Sequence, residues 1–188
     1  MFYLVFTKVL KICFYPIANL VEYATGYGYP TWIRKRLKAS SYIDAFTMWL
    51  VRDPEDLDVV VLPNMFGDIA TDLASVLQGG MGMAASANLG DKHMMFEPVH
   101  GSSPKHAGKN RVNPIAMLSS LQLMLENLSL RHDDPLLDKY GNILQQAISQ
   151  HLSSDGPKTY DIGGTGTTSE VGDAIADRVR TLLKNEKA

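Results

Sequence analysis

Hydrophobic and polar positions follow several different periods along this chain. Residues 1–20, MFYLVFTKVLKICFYPIANL, are dense in aromatic and aliphatic side chains, with Lys8 and Lys11 inside the stretch and Pro16 near its end. They read as a buried strand, Phe2 to Phe6, followed by a helix. Residues 25–42 mix glycine, proline, aromatic and basic residues without a steady period, the pattern of an irregular connection or arm. Ile43 to Arg52 predicts a helix that stops before Asp53-Pro54, where proline disfavours further helix. Val59-Val60-Val61-Leu62 is an unbroken β-branched and aliphatic run bounded by Pro63, which suits a strand covered on both faces. Ile69, Leu73, Val76 and Leu77 then fall at helix spacing, with a stop expected at Gly79-Gly80. The glycine-rich residues 79–92 read as loop, Met94-Met95-Phe96 as a short strand, and the polar stretch from there to Asn113 as loop. Pro114 suits the first position of a helix that continues through the apolar IAMLSSLQLMLENL. Two further helices are expected, about 135–151 and 168–184, separated by the turn-rich TYDIGGTGT. Alternation of strands and helices of this kind is an α/β pattern.

Composition narrows the function classes. The chain has 188 residues, 45% hydrophobic and 20% charged, enough for a buried core in one ordinary domain or two small ones. Its 18 basic and 20 acidic residues leave a net charge of −2. That excludes the clear basic excess with which proteins coat nucleic acid or anionic membrane. The single cysteine, Cys13, excludes an intramolecular disulfide framework and a cysteine-based zinc site, and suits a reducing, cytoplasmic setting. Lys8 and Lys11 keep the first stretch short of the ~18 apolar residues of a membrane span. They also lie inside the apolar run, whereas a signal peptide carries its charge ahead of it. Arg34, Lys35, Arg36 and Lys38 read as a solvated basic surface.

Two groups of residues carry candidate chemistry. In NMFGDIATD, Asp68 and Asp72 are four residues apart, within about 40° of each other on one helix face. Two carboxylates held so close repel unless a cation lies between them, and such hard oxygen ligands suit Mg²⁺ or Mn²⁺. The same spacing also suits two exposed acids near a helix N-terminus, where the dipole favours negative charge. The second group is the loop HGSSPKHAGK from His100. Its glycines and serines allow close backbone approach, Lys105, His106 and Lys109 bring positive charge, and a helix N-terminus follows, a setting suited to phosphate. An ordinary surface loop with solvated basic side chains would look the same. No Walker loop and no GxGxxG occurs. His93 and His132 lack partners at ligand spacing, and the methionines suit core filling.

Together these stretches resemble the β-decarboxylating dehydrogenases, which include isocitrate, homoisocitrate and 3-isopropylmalate dehydrogenases. The residues that carry the likeness are YIDAFTMWLVRDPEDLDVVV, NMFGDIATDLAS, ASANLGDKHMMFEPVHGSSP and AGKNRVNP, with TYDIGGTGTTSEVGDAI in the tail. The resemblance implies an α/β chain built as the C-terminal half of the isopropylmalate dehydrogenase-like two-domain fold. Residues 1–79 would be part of the dimer-forming, metal-binding domain, with 1–42 poorly matched, and 80–188 part of the cofactor-binding domain.

The resemblance also implies roles. Asp68 and Asp72 would bind Mg²⁺ or Mn²⁺, and Asp44 matches a third acid that family dimers supply across the subunit interface. Thr7-Lys8-Val9-Leu10-Lys11 resembles the catalytic-lysine segment T-K-A-N-V-L-K with two residues absent, which makes Lys8 the candidate base. The dinucleotide loop would comprise Glu97, His100, Gly101, Ser102, Ser103, Lys105, His106, Ala107 and Asn113. Asn113 is expected near adenine, and positions 105–106 near the adenosine ribose. NAD users of the family place an acid at the position of Lys105, where it accepts from the ribose 2′-OH. Lys105-His106 instead resembles the Lys-Tyr pair of NADP-using members, so NADP is expected ahead of NAD. TYDIGG, by contrast, resembles the tail of NAD users and lacks the later arginine that helps NADP users grip the 2′-phosphate, and EPVHGS resembles the isopropylmalate or homoisocitrate enzymes.

The implied reaction is oxidation of a small 2-hydroxy acid followed by loss of its β-carboxylate. Family members are about twice as long, and the substrate-gripping arginines and the tyrosine acid lie in the half this chain does not match. The expected partner is a second copy of the chain or a complementary N-terminal-half chain. The alternative is a truncated, non-catalytic paralogue that keeps dimerisation, with or without nucleotide or metal binding. Sheets missing their usual strands should have open edges, which favours association or poor solubility.

Overall fold

The computed structural model describes residues 2–5, 11–15, 42–57 and 59–186. Among these residues, β1 (Phe2–Val5), β2 (Lys11–Tyr15), β3 (Val59–Pro63), β4 (Ala85–Leu89) and β5 (Met94–Pro98) form one sheet in the order β3-β2-β1-β4-β5. Only β2 and β3 run parallel; the other pairs are antiparallel. The helices are α1 (Ile43–Arg52), α2 (Asn64–Ser75), α3 (Ile115–His132), α4 (Pro135–Leu152) and α5 (Thr168–Asn185). This is the α/β class expected from the sequence. The sheet draws strands from both sides of residue 79, because Phe2, Tyr3 and Leu4 pair with Asn88, Ala87 and Ser86.

Two elements differ from expectation. The helix expected after Phe6 is replaced at Lys11–Tyr15 by β2. Ile12, Cys13, Phe14 and Tyr15 favour a pleated strand, and β2 has a partner on each side, β1 and β3. The expected loop 79–92 contains β4, whose sequence ASANL lacks an aliphatic alternation. Burial selects the small residues there: Ala85 and Ala87 pack with Leu123 of α3, alongside Leu89 and Phe96. Alanine lets the helix approach the sheet closely.

Helix boundaries follow from local chemistry. α2 runs from Asn64 and gives way to a 3-10 turn, Val76–Gln78, that ends at Gly79 with φ 107°. Only glycine adopts that left-handed region without strain. α3 is entered as expected at Pro114, which is already in the helical region at φ −84° and ψ −6°, and the Asn113 side chain accepts the Ile115 N–H at 3.0 Å. Asp134 caps α4 by accepting from the Leu136 N–H. Thr167 and Glu170 form a capping box on α5. At the far end of α3, Arg131 donates to the carbonyls of Gly90, Asp91 and Lys92, clasping the β4–β5 hairpin.

The core has three parts. Phe46, Leu50, Ala70 and Ala74 join α1 and α2, with Val60 and Leu62 of β3 against them. Ile115, Leu144, Ala147, Ile148, Val171 and Ile175 join α3, α4 and α5. The third is the β4, β5 and α3 contact already described. Leu50 and Ile115 are fully buried, each contributing about 1.5–3 kcal/mol of transfer free energy. No helix among the described residues is long and apolar enough to cross a membrane.

Candidate functional site

The carboxylates come from α1 and α2. Both Asp68 and Asp72 are exposed one turn apart on α2. Their backbone carbonyls accept the hydroxyls of Thr71 and Ser75 at 3.0 and 2.7 Å, which ties the helix at these two positions. Asp44 is exposed in the first turn of α1, its Oδ1 accepting the Ala45 N–H at 2.8 Å. No group of three or more His, Cys, Asp or Glu side chains among the described residues is arranged to hold a metal ion. Asp44 therefore does not join Asp68 and Asp72 in a closed cage within one chain. The pair alone still fits a hard cation, since magnesium commonly takes one or two protein carboxylates and fills its shell with water and substrate. Lys8 lies outside the described residues.

The loop candidates form an exposed shelf. Glu97 on β5 accepts from the Asn88 amide at 3.3 Å, a cross-strand contact with β4. His100 is half-buried, with Nδ1 2.9 Å from the Gly101 carbonyl. Gly101, Ser102, Ser103, Lys105 and Ala107 are exposed. Ser103 is left-handed, with φ 45° and ψ 60°, and opens the 3-10 turn Pro104–His106. Its hydroxyl lies 2.9 Å from His106 Nδ1. The shelf ends in two acceptors that fasten it, one a side chain and one a backbone carbonyl. Asn110 Oδ1 accepts the Ser169 N–H and hydroxyl at 3.1 and 3.0 Å, and the Val112 carbonyl accepts the Thr168 hydroxyl at 2.6 Å. Both contacts come from the first turn of α5.

Asn113 is only 6% exposed. Its carbonyl caps α3, and its amide donates to Asp161 at 3.0 Å and to the Met83 sulfur at 3.4 Å. This side chain braces the shelf from beneath. Next to Asp161, Tyr160 brings its hydroxyl 3.3 Å from His106 Nε2, the two rings stacked at 5.8 Å between centroids. Arg111 lies over the Tyr160 ring, 4.3 Å from its centroid. Tyr160, Asp161, Arg111 and Asn110 were not among the expected site residues. The stretches TYDIGG and AGKNRVNP, which carry the family likeness, were their only trace in the sequence. Nothing in local spacing shows that residue 160 returns to residue 106.

His93 and His132 are exposed. A groove of about 720 Å³ beside α3 and α4, lined by Gln122, Lys139, Gln146 and Ser149 among others, contains none of the candidate residues.

Residues 36–175 match the isocitrate/isopropylmalate dehydrogenase family. The chain is 43% identical over 147 residues to a probable tartrate dehydrogenase/decarboxylase of Bacillus subtilis, covering 77% of this chain and 39% of that protein. It is 40% identical over 149 residues to the homoisocitrate dehydrogenase of Methanocaldococcus jannaschii, covering 79% and 41%. The crystal structure of a β-decarboxylating dehydrogenase from Thermococcus kodakarensis, in apo form, superposes with a TM-score of 0.74 at 32% identity. That match covers 94% of this chain and 52% of the other. The chain thus spans about two fifths of the length of the curated relatives it matches.

Proposed function

This chain belongs to the isocitrate/isopropylmalate dehydrogenase family, and from that premise we propose that it carries the metal and dinucleotide parts of a decarboxylating 2-hydroxyacid dehydrogenase. The activity proposed is most like that of a 3-isopropylmalate dehydrogenase, then of an isocitrate or homoisocitrate dehydrogenase. Its substrate is a small 2-hydroxy acid bearing a β-carboxylate. One observation supports this reading above others: the 97–113 shelf and the 159–163 turn, distant in sequence, are hydrogen-bonded into one surface.

Asp68 and Asp72 hold Mg²⁺ or Mn²⁺ through carboxylate oxygens, leaving room for water and substrate. Asp44 of a second copy of the chain is the third acid. When bound, the cation supplies Lewis-acid chemistry, polarising the substrate hydroxyl oxygen and stabilising the enolate left when the β-carboxylate departs as CO₂. Lys8 would be the base that takes the proton of the substrate hydroxyl, and the dinucleotide would supply the hydride acceptor. Glu97, His100, Gly101, Ser102, Ser103 and Ala107 line the dinucleotide, and Asn113 shapes the adenine end. Lys105 and His106 place positive charge at the adenosine ribose, which favours the 2′-phosphate of NADP over the 2′-OH of NAD. Residues up to 79 belong with the dimer-forming domain and those from 80 with the cofactor domain. The working form pairs with a second copy or with a chain carrying the rest of the enzyme, in the cytoplasm, where the lone cysteine stays reduced.

The test mixes the purified chain with Mn²⁺, either NADP or NAD, and isopropylmalate, isocitrate or homoisocitrate, following the absorbance of reduced cofactor. Turnover supports the enzymatic reading. Binding of Mn²⁺ and nucleotide without turnover supports a chain that binds and pairs but needs the rest of the enzyme, or that does not catalyse. Calorimetry separates these outcomes from failure: Asp72→Asn should weaken Mn²⁺ binding by about tenfold or more, the effect of losing one of two charged ligands. Absence of both metal and nucleotide binding in the unaltered chain overturns the proposal.

A further inference from the structure

We infer that Arg111 is a specificity-determining residue for the cofactor, held by Tyr160 so that its guanidinium grips the 2′-phosphate of NADP. The inference rests on the NADP reading above and extends it to a residue the sequence did not single out. Arg111 is exposed, and its guanidinium stacks over the Tyr160 ring at 4.3 Å. No carboxylate among the described residues pairs with it, and none pairs with the exposed Lys105. An arginine laid on an aromatic face keeps its plane fixed while the N–H groups at its rim stay available, so less freedom is lost when an anion binds.

The neighbouring charges converge on the same place. Tyr160 touches His106 through its hydroxyl at 3.3 Å and through ring stacking at 5.8 Å. His106 is held from its other nitrogen by Ser103 at 2.9 Å. Tyr160 therefore joins Arg111 to the Lys105-His106 turn. The one acid adjacent in sequence, Asp161, is turned toward Asn113 at 3.0 Å. A cluster of cationic and hydrogen-bonding groups without a carboxylate partner among the described residues, beside the ribose position proposed above, fits a phosphomonoester dianion rather than a neutral hydroxyl. Arg111 contacts the phosphate; Tyr160 is a positioning residue that acts through it.

The experiment is calorimetric titration of the unaltered chain and of Arg111→Gln, Arg111→Lys and Tyr160→Leu with 2′,5′-ADP and with 5′-AMP as paired probes. The unaltered chain should prefer 2′,5′-ADP. Arg111→Gln should lose about tenfold for that probe, the loss of one charge-assisted hydrogen bond, and stay unchanged for 5′-AMP. Arg111→Lys should recover part of the preference because the charge remains. Tyr160→Leu should weaken 2′,5′-ADP binding while circular dichroism stays unchanged. A preference for 2′,5′-ADP that survives Arg111→Gln removes Arg111 from the site and leaves the NADP reading standing. No preference in the unaltered chain overturns both.

Discussion

At Gly82 a single methyl group would collide with the candidate site. A Cβ there would lie 2.6 Å from Asp161 Oδ2 and 3.0 Å from Asn113 Cβ, so the absence of a side chain is what lets Asp161 reach Asn113. Gly82→Ala should displace that pair, costing about 1–3 kcal/mol in denaturant unfolding and weakening nucleotide binding. An unchanged Asn113–Asp161 contact with full affinity would count against the brace. His151 offers a different test. It is fully buried at the end of α4. Burial holds its pKa below the usual 6.5, with Arg178 and Lys158 adding to the effect and the Pro157 backbone opposing it. The native state therefore favours neutral imidazole, and the unfolded chain binds more protons as pH falls below 6.5. Stability should be full above that pH and decline progressively on acidification. Urea midpoints measured from pH 8 to pH 5 should show the decline, and His151→Leu should flatten it; an equal slope in both proteins would assign the effect to other groups. Glu170, held below its usual range by the Thr167 backbone N–H and hydroxyl, titrates in a separate and more acid window.

α5 connects stability to the shelf at the scale of elements. Its capping box at Thr167 and Glu170 fixes the first turn, and the next two residues, Thr168 and Ser169, hold Val112 and Asn110. Thr167→Ala should cost about 1 kcal/mol. It should also speed amide exchange at residues 108–113, because the cap and the loop anchor share one helical turn. Slower or unchanged exchange there would show that the loop holds itself. Elements of this kind were readable in different degrees. α1, α4 and α5 follow from helical period and proline or capping signals, and β3 from its unbroken Val-Val-Val-Leu run. β4 was hidden because its core-facing positions are alanines, whose burial comes from Leu123 on a distant helix rather than from their own hydrophobicity. β2 was hidden because an apolar run this short satisfies either helix or strand, and only pairing with β1 and β3 selects the pleat.

The whole molecule exposes apolar surface alongside its candidate metal face. Met65, Ile69, Val76 and Leu77 of α2 and its following turn, and Met48 and Val51 of α1, are exposed. β3 and β5 are the outer strands of the sheet among the described residues. Surfaces and edges of this type favour association, so size-exclusion chromatography should show a concentration-dependent dimer or larger species, and a compact monomer at all concentrations would contradict it. The sequence by itself determined the α/β class, the family, and the two acids on one helix face, because hydrophobic period, proline and glycine stops, and residue spacing are local properties. The meeting of Tyr160 and Arg111 with His106, the bracing of Asn113 by Asp161, and the continuity of the sheet across residue 79 were decided only in three dimensions. Each depends on segments tens of residues apart that are brought together by helix packing or by strand pairing, and no local pattern encodes that distance.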